Sequence, residues 1–322
     1  MIEQILQKYE LEWTKLLPVQ KGYRNESHAA VLKSQETINV IIHKCEPRAL
    51  QLVRTSNCVS TYLSKQGLPT RSLYSPKILV VKSRDRMRFC TLNTYLEGDT
   101  IPWEAYTMNH IKLLGKTLRH VHTSLQAFPQ THLLSSVATQ QFILAKGMQA
   151  YFAETGVQSA MAKKLGVSLQ PARLRRQTRL LDNCQTLPHQ QALHMDFVRG
   201  NVLFKQHGSE LQITGILDFE KTAYGHPVFD LARTLAFLLV DCKHKTEPKV
   251  RKYFIASGYN KDAAHPLGGT KFLEELLEHF VLHDFYKFLR HNPYEFLAQN
   301  QHYQRTRDLL LSRGILDRIG TS

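Results

Sequence analysis

The hydrophobic pattern of this chain changes period once, near Glu97-Gly98, and that change limits the folds open to it. Up to Leu96, short β-rich runs alternate with turn residues. Leu16-Leu17-Pro18-Val19, Ala29-Ala30-Val31-Leu32 and the run from Thr37 to Lys44 predict three consecutive antiparallel strands, and Lys77 to Val81 with Arg88 to Tyr95 predict two more. Between the third and fourth, Leu52, Cys58, Val59, Tyr62 and Leu63 give a helix its buried face, and Gly67-Leu68-Pro69 stops it. From Trp103 onward the spacing is helical, as in Ile111, Leu114, Leu118 and Val121, with further helices predicted over 140–152, 158–165 and 172–184. Glycine and proline punctuate the rest at Gly258, Pro266-Leu267-Gly268-Gly269 and Pro293. At 322 residues the chain exceeds the usual size of a single core. The expectation is therefore an α+β, bilobal chain. A small lobe over 1–97, a five-stranded antiparallel sheet with one helix, precedes a mainly helical lobe over 98–322.

Several classes are excluded. The first ten residues carry acids at Glu3 and Glu10 and no uninterrupted apolar core, so they fail as a secretory signal, and the apolar run from Leu235 to Val240 is too short to cross a bilayer. A soluble, cytoplasmic protein without a membrane partner is expected. The five cysteines are scattered, odd in number and without a C-x-x-C pair, which disfavours disulfides and a cysteine zinc site. The net charge of +15 raises the question of a polyanionic partner. Yet the basic clusters, Arg84/Arg86/Arg88 and Arg173/Arg175/Arg176/Arg179, are short and lack the interleaved aromatics that stack bases, so nucleic acid is not expected. The oligomeric state stays open.

The chemistry concentrates in His194-Met195-Asp196-Phe197-Val198-Arg199-Gly200-Asn201. An apolar lead-in, Gln191-Ala192-Leu193, precedes this H-x-D-x-x-x-x-N run, and a strand, Val202-Leu203-Phe204, follows it. A second strand from Leu211 to Leu217 ends in Asp218, and the turn at His207-Gly208-Ser209 makes the pair a hairpin. Such a hairpin brings Asn201 and Asp218 to one edge, where two hard oxygen donors suit magnesium on nucleotide phosphates. A carboxylate after largely apolar residues costs free energy unless an ion or donor meets it, which marks Asp218 as a ligand candidate.

These motifs, with Ile216-Leu217-Asp218-Phe219-Glu220 and Gly225-His226-Pro227-Val228-Phe229-Asp230-Leu231-Ala232, resemble those of the aminoglycoside phosphotransferase and choline kinase family. Lys44, Tyr95-Leu96-Glu97-Gly98 and Leu118-Arg119-His120-Val121-His122 fall in the family's order. The resemblance implies a protein-kinase-like fold and transfer of phosphate from ATP, or another nucleoside triphosphate, to a hydroxyl of a small molecule, with magnesium. It implies Asp196 as the base or orienter of the acceptor, Asn201 and Asp218 as metal ligands, and Lys44 as the cation on the phosphates. Backbone around Gly22 would cover the phosphates, and a hinge including Asn93 and Tyr95 would hold the adenine. His194 and Asp230 are expected to brace the loop.

There are departures. The stretch from Leu52 to Gln66 has no acid to pair with Lys44, the Lys21 to Ser27 loop has one glycine and no Walker motif, and Asp218-Phe219-Glu220 stands where protein kinases have D-F-G. With no A-P-E and no activation segment of protein-kinase length between Asp218 and Asp230, this last departure favours a small acceptor over a protein. The missing helix acid keeps an alternative open, a nucleotide-binding pseudokinase or scaffold. The His120-x-His122 pair is expected to give one packed and one exposed ring, since helical residues two apart do not share a face. Between Gln126 and Leu193 the only acids are Glu154 and Asp182, against Lys146, Lys163, Lys164, Arg173, Arg175, Arg176 and Arg179. With those helices at the acceptor site, as the resemblance implies, this points away from a polycationic acceptor, and Glu274, Glu275, Glu278 and Asp284 of the C-terminal helices weigh the other way.

Overall fold

The computed structural model describes residues 1–21, 25–44, 46–83, 86–242, 244–261 and 271–319. The chain opens with helix α1 (Ile2–Lys8), strands β1 (Trp13–Leu16), β2 (Gln20–Lys21), β3 (Glu26–Leu32) and β4 (Thr37–Ile42), helix α2 (Ala49–Lys65), and strands β5 (Leu73–Ser83) and β6 (Arg86–Thr94). Helices α3 (Met108–Leu125), α4 (Val137–Ala153) and α5 (Thr155–Ala160) follow, then strand β7 (Val167–Leu169), helix α6 (Pro171–Asn183) and strands β8 (Gln191–Leu193), β9 (Val202–His207), β10 (Glu210–Ile216) and β11 (Ala223–Gly225). The chain closes with α7 (Val228–Asp241), α8 (Glu247–Arg251), α9 (Lys271–His291), α10 (Tyr294–Leu297), α11 (Gln301–Ser312) and strand β12 (Leu316–Arg318). No helix among the described residues is long and apolar enough to cross a membrane.

Two compact units divide the chain, one of residues 1–100 with 200–222, the other of 101–199 with 223–322. In the first, five strands form an antiparallel sheet in the order β1-β3-β4-β6-β5, with the short β2 added beside β3. The first strand lies earlier than the sequence suggests, at Trp13–Leu16 and not Leu16–Val19. Pro18 explains the shift, because it has no N–H to give a ladder. Strand alternation splits the sheet's faces. Ile38, Val40 and Ile42 enter a core with Ile5 and Leu6 of α1, Leu79, Val81, Cys90 and Leu92. Asn39, His43, Thr91 and Asn93, all buried, share the opposite face. That face is polar, with Ser27 Oγ donating to Asn39 Oδ1 at 2.8 Å and Asn93 Nδ2 to Thr91 Oγ1 at 3.0 Å.

The second unit is mainly helical. α3 buries Ile111, Leu114, Leu118 and Val121, the spacing read from the sequence. It also buries Gly115, against which the π-helical turn Lys252–Tyr259 packs so closely that a Cβ on Gly115 would lie 2.1 Å from the Phe254 carbonyl. Gly258 faces Gly115 across that contact, with its own Cβ position 2.9 Å from the Lys112 carbonyl. Two small residues let the backbones meet, and the meeting sets Tyr259 over the end of α3. β7 and β12 pair at the far end of the unit, a contact that three-residue strands do not announce by any period.

Candidate active site

In the second unit, β8 pairs with β11 and delivers His194, Met195 and Asp196 at its end. The loop is held from beneath. Asp230, in the first turn of α7 and fully buried, accepts the His194 N–H at 2.7 Å and the Met195 N–H at 2.8 Å. His122 Nε2 lies 3.1 Å from the same carboxylate, and His122 Nδ1 lies 2.6 Å from the Tyr259 hydroxyl. Burial works to raise the Asp230 pKa, but the hydrogen bond and charge of His122 and the proximity of His194 outweigh it and hold the group below its ordinary value. The Asp196 N–H in turn donates to His194 Nδ1 at 3.2 Å, and its carbonyl accepts the Val198 N–H at 2.8 Å. Met195 sits at φ +60°, a left-handed conformation that a side chain holds only where its surroundings over-determine it. Asp196 is thereby fixed at the end of a short strand by its backbone. His194 and Asp230 brace the loop as expected. Of the histidine pair on α3, His122 is buried and His120 exposed, but His122 is a member of the brace and not merely packed.

In the first unit, β9 and β10 form the expected hairpin, with Ile216 opposite Val202. The Leu217 N–H donates to the Asn201 carbonyl at 2.8 Å, which sets Asn201 beside the residue preceding Asp218. Asn201 and Asp218 are both half-buried, and Asp218 is at φ +60°, a second left-handed residue at a strand end. The Glu220 N–H donates to Asp218 Oδ1 at 3.3 Å. An amide and one carboxylate do not make a protein cage, and no cluster of three or more acidic, histidine or cysteine side chains is found among the described residues. Two oxygen donors at one edge do fit magnesium, which keeps several waters and leans on substrate phosphates.

Another carboxylate of this unit is tied to the sheet. The Glu220 carboxylate accepts from Asn25 Nδ2 at 2.7 Å and lies 3.3 Å from His43 Nδ1, and His43 Nε2 lies 3.0 Å from Thr91 Oγ1. Lys44 is exposed, and its backbone N–H donates to Asn25 Oδ1 at 3.1 Å. Asn93 is buried within β6, and Tyr95 lies half-buried one residue beyond that strand. Gly22 falls outside the described residues, as does the Pro266 to Gly269 punctuation. Sequence reasoning noted Asp218-Phe219-Glu220 only as a departure from D-F-G, so the part played by Glu220 was missed. Its partners Asn25 and His43 are 195 and 177 residues away in the chain.

Residues 16–265 match the model of the phosphotransferase enzyme family. No curated protein matches the chain by sequence. Among solved structures, it is similar to amicoumacin kinase hAmiN in complex with AMP-PNP, Ca2+ and Ami (12% identity, TM-score 0.70, covering 99% of this chain and 95% of that one). It is similar to a microcompartment-associated aminopropanol kinase (12%, TM-score 0.60, 98% and 99%). A macrolide 2'-phosphotransferase from Brachybacterium faecium also matches (14%, TM-score 0.57, 95% and 96%). At these identities the likeness establishes a shared kinase-like fold.

Proposed function

This chain belongs to the phosphotransferase enzyme family, and from that premise we propose that it transfers the terminal phosphate of a nucleoside triphosphate, ATP in the first instance, to a hydroxyl of a small molecule with magnesium. The observation that carries the reading is the hairpin edge at which Asn201 and Asp218 stand together with oxygen donors suited to that ion. Magnesium, when bound, neutralises charge on the phosphates. Asn201 and Asp218 would hold it. Asp196, on its braced loop and five positions before Asn201 in the chain, orients the acceptor hydroxyl and takes its proton as the new bond to phosphorus forms. The brace keeps the carboxylate where it is needed before substrate arrives, which is how positioning lowers a barrier.

The acceptor we favour is neutral or anionic. Lys164 is paired with Glu295, and Arg176 with Glu275, but these pairs also consume acids that a polycation would need. Glu274 is held by Arg251 and Arg313, and Asp284 by Arg233 at 2.9 Å. The acids of α9 are largely committed within the unit. The test is ADP release from magnesium ATP with a panel of amino alcohols, sugars, neutral hydroxylated antibiotics and kanamycin. Saturable release with a neutral or anionic compound is expected. Release saturating at micromolar kanamycin would overturn the acceptor assignment, and nucleotide binding without turnover on any acceptor would favour the scaffold alternative.

A further inference from the structure

The first unit holds a cation that no motif pointed to. Arg71 lies between α2 and β5, on a short segment pinned from both sides. On one side Thr70 bridges to Ile216 and the Ile216 N–H donates to the Pro69 carbonyl at 2.7 Å, two residues before Asp218. On the other side the Ser72 N–H donates to Thr94 Oγ1 at 3.0 Å and the Thr94 N–H to the Ser72 carbonyl at 2.9 Å, next to Tyr95. The Arg71 carbonyl itself accepts Ser60 Oγ at 2.6 Å. The backbone of Arg71 is therefore fixed between the metal-ligand candidate and the hinge.

Its side chain is in a different position. The side chain is half-buried, and its Nε is buried without a hydrogen-bond partner among the described residues. Burial pushes its pKa down to about 10, with the nearby Asp218 carboxylate acting in the opposite sense. A guanidinium nitrogen kept from water without a hydrogen bond is costly, and a half-buried fork that retains one suits an anion arriving at its accessible nitrogens.

We propose that Arg71 is a substrate-binding residue of this phosphotransferase, its guanidinium fork taking the phosphate oxygens of the nucleotide beside Asp218. The assignment rests on the phosphotransferase reading and deepens it. A planar fork fits a phosphate through two parallel N–H···O bonds, and a divalent ion on Asp218 leaves the arginine free to act on the anion.

The experiment is calorimetric titration of the full chain with adenosine, ADP and magnesium ATP, in wild type, Arg71→Met and Arg71→Lys, with thermal melting of each. Arg71→Met should weaken ADP and magnesium ATP on the order of tenfold, since one charge-assisted pair is lost. Adenosine affinity should stay within about twofold, because a neutral nucleoside gives the fork no anion to hold. Its melting temperature should not fall, because a desolvated cation is removed. Arg71→Lys should recover part of the phosphate-dependent affinity. An equal loss for adenosine, which marks a structural or base-contacting role, overturns the assignment, and so does unchanged affinity for all three ligands. Wild-type protein that binds no nucleotide overturns the phosphotransferase reading as well, whereas wild type that binds while Arg71→Met binds equally overturns this inference alone.

Discussion

The two units hold their chemical residues in opposite ways. In the second, Asp196 ends a short strand whose loop is gripped by a buried relay from Tyr259 through His122 to Asp230 and on to the His194 and Met195 amides. In the first, Asn201 and Asp218 sit half-buried at a hairpin edge, and the buried Nε of Arg71 has no hydrogen-bond partner among the described residues. One region fixes its loop with buried hydrogen bonds, and the other holds its candidate ligands half-buried at a hairpin edge. A group that orients a hydroxyl and takes its proton needs a fixed backbone, whereas a magnesium site needs only a few oxygen donors, since the ion keeps several waters and leans on substrate phosphates.

The largest expected effect tests the braced side. Asp196→Ala should lower phosphoryl transfer on the order of a thousandfold while leaving nucleotide affinity nearly unchanged, as befits an orienting base. Steady-state turnover and titration of the same protein check it, and comparable turnover in both forms would remove Asp196 from its role.

Next, Asp230→Ala should destabilise the fold by about 3 to 5 kcal/mol, because the His194 and Met195 amides and His122 lose one shared buried acceptor. Chemical denaturation measures it. A loss below about 1 kcal/mol would mean that the loop does not depend on this brace.

On the ligand side, Asp218→Asn should weaken magnesium-dependent nucleotide binding more than Asn201→Ala does, since the first removes a formal charge from the ion site and the second a neutral amide. Titration with and without magnesium decides this. The metal assignment fails if magnesium leaves ATP affinity unchanged in wild type and both variants.

The last effect concerns acid and is absent at neutral pH. His279 is buried on α9, 3.1 Å from Gln141, and burial, reinforced by Arg233, lowers its pKa to about 3. Its folded pKa lies below the unfolded value, so its contribution is complete above about pH 6.5 and is lost as pH falls from there toward 3. Replacing it with Gln should flatten the loss of stability in that window, by at most about 1.4 kcal/mol per pH unit. Melting temperatures against pH provide the readout, and identical slopes for both proteins would rule out His279 as a source of acid sensitivity.

Much of this protein is legible in its sequence. Period-two runs fixed the strands β3 to β6, a three-to-four spacing fixed α2 and α3, and the hairpin that joins Asn201 to Asp218 follows from two strands and a glycine turn, all local signals. The strand register even implied the shared edge. What could not be read there depends on contacts across long separations: Glu220 meeting Asn25 and His43, Tyr259 reaching His122 because Gly115 and Gly258 let two backbones touch, and Arg71 pinned between Ile216 and Thr94. None of these partners shares a local period, and burial and pairing exist only once the chain has folded. The sequence determined which residues can do chemistry, since functional groups and strand ends are local. Only the tertiary structure decided which of those groups are braced and which stay half-buried at an edge, since desolvation and hydrogen bonding are properties of assembled surroundings.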